Sequence, residues 1–298
     1  MCVYAFINTN SGGVQAIGPE RASSILFHEL KEAGLDCRMT LGGAAEFSAF
    51  AEEAKNAENT SMVAIAGGDG TLAMAASAFL DTTIPVLLLP GGTMNLIAHD
   101  LCIGGDLEMA VRNVASCRPR RIDVATINGR AFLNNVVFGD YADMAEARET
   151  IRDAESMDER LGAISEATHT LINSAPRNFR IEHPQGVRDI GSNILMISNN
   201  PYTHALDMRP RRKRLDTGKL AIYVAESNDG IDLIARMVEV MRGELGKSSA
   251  IERIDAESCI IHADCETILA AVDGEPMEMK TPVTISIKPR ALTILRPE

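Results

Sequence analysis

Three times in the first hundred residues, a short apolar run stops in a polar, glycine-rich loop and gives way to helical spacing. Residues 3–7 end at Asn8-Thr9-Asn10-Ser11-Gly12-Gly13, 62–66 at Gly67-Gly68-Asp69-Gly70-Thr71, and 84–89 at Pro90-Gly91-Gly92-Thr93-Met94-Asn95. After the first loop, Ala22, Ile25, Leu26, Leu30 and Ala33 recur with a helical period, closed by Gly34. Leu35, Cys37 and Met39 alternate as in a strand, and Phe47, Phe50, Ala51 and Ala54 mark a second helix. Leu72, Ala75, Ala76 and Phe79 mark a third, and a further helix follows Asn95. Strand alternating with helix requires a parallel sheet with helices on its faces. The three glycine loops then emerge on one edge of that sheet, at the carboxyl ends of its strands.

The pattern changes at Arg118-Pro119-Arg120-Arg121. Runs 122–127 and 131–138 are joined by Asn128-Gly129, the strongest short hairpin signal. Helical stretches are expected within 143–173, with Ile164, Ala167, Leu171 and Ile172 on one side, and around 231–242. Strands are expected at 192–198, 219–224, 258–262, 268–272 and 283–287, with a turn at Asp273-Gly274, so the second half reads as antiparallel β. The expected division is an α/β domain over 1–122 and a β-rich domain over 123–288.

Charge and composition exclude several functions. A formal charge of −12 argues against a nucleic-acid binder and against broad adhesion to an anionic membrane. No apolar run approaches the roughly 20 residues of a membrane-spanning helix. The start, Met1-Cys2-Val3-Tyr4-Ala5-Phe6, lacks the basic region of a secretory signal, so a soluble cytoplasmic protein is expected. The six cysteines show no CxxC spacing, and strand packing accounts for Cys259, His262 and Cys265 better than a zinc site. Arg209-Pro210-Arg211-Arg212-Lys213-Arg214 is the densest basic run. It reads either as a local membrane contact, at about 1 kcal/mol per basic residue, or as a solvated loop.

Glycines let the backbone approach an anion closely, and a helix N-terminus favours phosphate. Asp69 inside such a loop would repel an anion alone, so it implies a divalent cation or a proton to be removed. Together the loops describe a nucleotide cleft. The P-loop signature, the protein-kinase signatures and the dinucleotide G-x-G-x-x-G are all missing.

Gly67-Gly68-Asp69-Gly70-Thr71, Gly92-Thr93-Met94-Asn95, Leu215-Asp216-Thr217-Gly218 and Asp273-Gly274-Glu275 occur in that order. With Asn8-Thr9-Asn10-Ser11-Gly12 before them, the chain resembles the diacylglycerol kinase catalytic-domain family, which includes sphingosine, ceramide and bacterial lipid kinases. The glycine loop is also similar to that of phosphofructokinases and NAD kinases. The resemblance implies a phosphofructokinase/NAD kinase-like nucleotide domain, rejoined by the last strand over 289–298, and a β-rich domain, with lipid bound between them. It implies ATP and Mg2+ as cofactors and a lipid alcohol at a membrane surface as substrate. Oligomeric state is left open, a homodimer included.

Within that resemblance, the backbones of Gly67, Gly68, Gly70 and Gly92 take the phosphates, helped by the Thr71 and Thr93 hydroxyls. Asn8, Ser11, Gly12 and Asn95 complete the nucleotide site, and Asp69 orients Mg·ATP. Asp273 matches the family's general base, with Glu275 on the same turn, and Asp216 matches a metal-binding aspartate. Three departures stand out: Thr9 replaces a proline, Ala73-Met74 replaces Asn-Glu, and Leu96 replaces an aspartate. These departures motivate one rival, a nucleotide- or lipid-binding regulatory relative. The shared glycine loop motivates another, an NAD kinase-like small-molecule kinase.

Overall fold

The computed structural model describes residues 2–92, 95–103, 106–139, 176–203, 211–225 and 251–297. The helices expected within 143–173 and at 231–242, and Thr93, lie outside the described residues. The chain forms two compact units, Met1–Val124 with Lys288–Glu298, and Ala125–Ile287.

The first unit runs β1 (Cys2–Asn8), α1 (Gly12–Ile17), α2 (Pro19–Glu32), β2 (Asp36–Gly42), α3 (Ala44–Asn56), β3 (Thr60–Gly67), α4 (Asp69–Ala78), β4 (Val86–Pro90), α5 (Leu96–Asp100), α6 (Leu107–Arg112) and the start of β5 (Arg118–Ile127), whose last three residues belong to the second unit. Strands β2, β1, β3 and β4 lie side by side in that order, all parallel. Val3–Ile7 of β1 and all of β4 are buried, as strands covered by helices on both faces must be. Strand β2 is at the edge, and its residues are exposed or half-buried. α2 starts with Pro19 at its first turn and ends in a Schellman motif. There Gly34 adopts φ 74°, its N–H donates to Lys31 O at 2.9 Å, and Leu35 N–H donates to Leu30 O at 2.9 Å. Phe6, Phe47 and Phe50 pack beneath α3, the first two edge to face at 5.1 Å.

The second unit continues with β6 (Arg130–Phe132), β7 (Asn135–Gly139), β8 (Arg177–His183), β9 (Gly186–Ser192), β10 (Ile194–Asn199), β11 (Leu220–Ala225), β12 (Ile251–Ala256), β13 (Ser258–Ala263), β14 (Thr267–Val272), β15 (Glu275–Lys280) and β16 (Val283–Arg296). Strands β12-β11-β10-β7-β14-β15 form one antiparallel sheet. The first half of β16 pairs with β13, which continues to β8 and β9, also antiparallel. Phe138 of one sheet and Phe179 of the other meet at 6.5 Å in a core shared by both. Cys259 belongs to this core, and burial pushes its thiol up to about 12. The last part of β16 belongs to the first unit, where Ile294 pairs in parallel with Val86 of β4.

The Asn128-Gly129 hairpin has both central residues at positive φ, 47° and 86°, with Ile127 opposite Arg130. Gly129→Ala should therefore lower stability by about 1–2 kcal/mol, read from urea unfolding, because a Cβ is disfavoured in that backbone region. The run over 131–138 is not one strand. It breaks at Leu133-Asn134, and β7 pairs with β10 and β14 instead of continuing the hairpin. The backbone groups of 133–135 are taken by side chains from distant parts of the chain, described below.

Candidate functional site

In the first unit, chain order reverses between β1 and β3, since β2 lies on one side of β1 and β3 on the other. Open α/β sheets bind ligands beyond the strand carboxyl ends at such a reversal. The loops after β1, β3 and β4 meet there. Gly91 N–H donates to Gly67 O at 2.9 Å, Val14 N–H to Gly91 O at 3.0 Å, and Gly68 N–H to Ser11 Oγ at 3.1 Å. Asn8 Nδ2 donates to Thr71 Oγ1 at 2.6 Å. Asn8, Ser11, Gly67, Gly68, Thr71 and Gly92 are thus brought together, with Gly12 opening α1 beside them.

The fit between loops excludes side chains. A Cβ on Gly92 would lie 2.5 Å from Gly68 Cα, and one on Gly13 would lie 2.7 Å from Gly91 O. Asn95 sits at φ 49° as the N-cap of α5, its Oδ1 accepting from Gly92 N–H at 2.8 Å. Two glycine amides expected to face a phosphate, those of Gly68 and Gly92, therefore have internal acceptors. The N–H groups of Asp69, Gly70 and Thr71 open α4 without intrahelical acceptors, and Leu72 N–H makes the first helical bond to Gly68 O at 3.0 Å. Those three amides are the donors of this loop that the helix leaves over. Ser11→Ala should cost about 1 kcal/mol in urea unfolding by stranding the Gly68 N–H.

Asp69 is half-buried at the start of α4, and its Oδ1 accepts from Ile97 N–H at 3.3 Å. Among the described residues its Oδ2 has no hydrogen-bond partner, and no group of three His, Cys, Asp or Glu could hold a metal by itself. That donor set suits Mg2+, which takes one or two carboxylates and completes its shell with phosphate and water.

In the second unit Asp273 and Gly274 form the turn between β14 and β15, at φ 50° and 88°. The Asp273 carboxylate accepts from three backbone amides: Leu133 N–H to Oδ2 at 2.8 Å, and Asn134 and Asn135 N–H to Oδ1 at 2.7 and 3.1 Å. Glu275 faces solvent and pairs with Arg130 at 3.3 Å. Asp216 pairs with Arg214 at 3.0 Å, so as a metal ligand it would exchange that partner.

Sequence reasoning missed Arg212. The basic run that contains it reads as a surface feature, yet Arg212 is 2% exposed. Its Nη1 donates to Leu133 O at 2.5 Å and Asn199 O at 2.9 Å, and its Nη2 to Asn134 Oδ1 at 2.7 Å. Local composition does not separate it from Lys213 and Arg214, which are exposed.

Comparison with known proteins covers both units. A family model described as the diacylglycerol kinase catalytic domain matches residues 2–127. A second, the YegS C-terminal NAD kinase beta sandwich-like domain, matches 135–296. A Staphylococcus haemolyticus protein named "Putative lipid kinase" is 24% identical over 260 residues, covering 83% of this chain and 80% of its own. A Staphylococcus aureus protein of the same name is 25% identical over 248 residues, covering 80% and 78%. A crystal structure from Bacillus anthracis, titled "a putative diacylglycerol kinase", superposes with TM-score 0.75 at 20% identity, covering 99% of this chain and 96% of that one. This last likeness carries the fold alone. No helix among the described residues is long and apolar enough to cross a membrane.

Proposed function

This chain belongs to the diacylglycerol kinase catalytic-domain family and is a phosphotransferase, and we propose that it transfers the γ-phosphate of ATP to the hydroxyl of a diacylglycerol-like lipid. The observation that carries the reading is the interlock of three glycine loops at the switch point of a parallel sheet, with the amides of Asp69, Gly70 and Thr71 left for an anion. Phosphoryl transfer is mainly positioning and charge neutralisation, and such a loop supplies both. The 1–122 segment with 289–298 is the nucleotide domain, and 123–288 is the lipid domain. Thr93, on the same loop as Gly92, and Glu275, on the turn of Asp273, complete the proposed contacts.

Asp69 would hold the Mg2+ of Mg·ATP through Oδ2, and Asp216 is proposed separately as a structural Mg2+ ligand of the second unit. When bound, the nucleotide's ion neutralises charge on the phosphate oxygens. Asp273 is the proposed base for the lipid hydroxyl. Its carboxylate is fixed by three amides, which suits a group that must present one orientation to a substrate proton. The proposed setting is the cytoplasm, with the enzyme touching a membrane surface to reach its lipid.

The test is transfer of radiolabel from ATP to a total lipid extract with Mg2+, followed by identification of the labelled product. A labelled phospholipid is expected. ATP binding without lipid labelling would sink the kinase reading in favour of a regulatory relative, which Ala73, Met74 and Leu96 favour. In a parallel assay supplied with NAD, label appearing only in the dinucleotide would favour the NAD kinase-like reading.

A further inference from the structure

We propose that Arg212 is a positioning residue that acts on Asp273 through two intervening peptide groups. The inference deepens the reading of Asp273 as the base and rests on it. One relay runs through the peptide joining Leu133 and Asn134. Arg212 Nη1 donates to its carbonyl at 2.5 Å, and its N–H donates to Asp273 Oδ1 at 2.7 Å. The next peptide, joining Asn134 and Asn135, repeats the arrangement with longer bonds. Arg212 Nη1 reaches Asn134 O at 3.3 Å, and Asn135 N–H reaches Asp273 Oδ1 at 3.1 Å.

Each peptide dipole thus lies between a guanidinium at its oxygen and a carboxylate at its hydrogen. A cation at the carbonyl polarises the peptide and strengthens its N–H as a donor, and an anion on the N–H does the same for the carbonyl as an acceptor. Arg212 and Asp273 are therefore opposite charges coupled through two intervening peptide groups.

The surroundings hold this alignment. Asn199 N–H donates to Asn134 O at 2.9 Å, and Asn199 Nδ2 donates to Leu133 O at 3.1 Å. Asn134 Oδ1 accepts from Arg212 Nη2, and the Tyr202 ring lies 5.7 Å from the guanidinium. Asp273 N–H closes the loop by donating to Asn135 O at 2.8 Å. Arg212, Asn134 and Asn199 are all within 2% of full burial, where water does not screen the interaction. Lysine would bring charge but not the planar fork that spans Leu133 O, Asn199 O and Asn134 Oδ1 at once.

The test compares Arg212→Met, Arg212→Lys and Asp273→Asn in the full chain, using radiolabelled ATP with total lipid extract. KM for ATP, kcat, thermal melting and amide hydrogen exchange over 133–135 are measured. Arg212→Met is expected to lower kcat at least tenfold with KM for ATP unchanged, and to speed exchange over 133–135. Arg212→Lys should recover part of kcat. A fall in melting temperature with kcat intact well below melting would make Arg212 merely structural and overturn the proposal. Unchanged exchange over 133–135 would overturn it as well. If Arg212→Met does not fold, Arg212→Lys and Asn134→Ala carry the same readouts. Full activity in Asp273→Asn would instead overturn the base assignment, and the exchange readout for Arg212 would still decide whether the relay exists.

Discussion

Asp273→Asn is expected to reduce lipid phosphorylation by about 10²–10⁴-fold, the range a positioned general base contributes. The same substitution should destabilise the second unit. An asparagine can still offer one oxygen to the Asn134 and Asn135 amides, but its NH2 group would then face the Leu133 N–H, donor against donor. A buried donor left without an acceptor costs about 1–3 kcal/mol. The two effects separate experimentally. Melting by circular dichroism gives the structural part, and kcat measured well below the melting transition gives the chemical part. Activity equal to wild type at that temperature would remove Asp273 from the chemistry and leave it as a turn lock.

The second large effect is expected at Gly92, and it is asymmetric. A Cβ at Gly92 points at the Gly68 backbone, 2.5 Å from its Cα, so Gly92→Ala must push two loops apart. A Cβ at Gly68 meets nothing nearer than Gly92 Cα at 3.4 Å. Gly92→Ala should therefore cost about 1–3 kcal/mol by overpacking. It should also raise the ATP dissociation constant more than tenfold, whereas Gly68→Ala should disturb folding far less. Nucleotide binding by titration calorimetry and urea unfolding of both variants test this. Equal, small effects at the two glycines would mean that the loops are not locked against each other as described.

The two substitutions probe different levels of organisation, and these differ in how much of them could be read beforehand. The alternation of strands and helices to residue 117 is written in apolar periodicity, which depends only on neighbours three, four or two positions away. The turns at Gly34, Asn128-Gly129 and Asp273-Gly274 are equally local, because positive φ selects glycine and asparagine or aspartate. The meeting of three glycine loops followed from the parallel order of their strands. Strands β8, β9, β12 and β15 carry no clear local signal, since their exposed faces are rich in charge and their alternation is weak.

By itself, then, the sequence determined the two kinds of architecture, the turn positions and which loops carry glycine, because each depends on the conformational preference of a few consecutive residues. The tertiary structure alone decided which amides remain for an anion, why the strand breaks at Leu133, and that one arginine of a basic run is buried. Those outcomes depend on partners far apart in the chain, 63 residues for Asn8 and Thr71, 79 for Arg212 and Leu133, and 140 for Leu133 and Asp273. A hydrogen bond across such a separation is set by strand register and packing, and no local pattern encodes it.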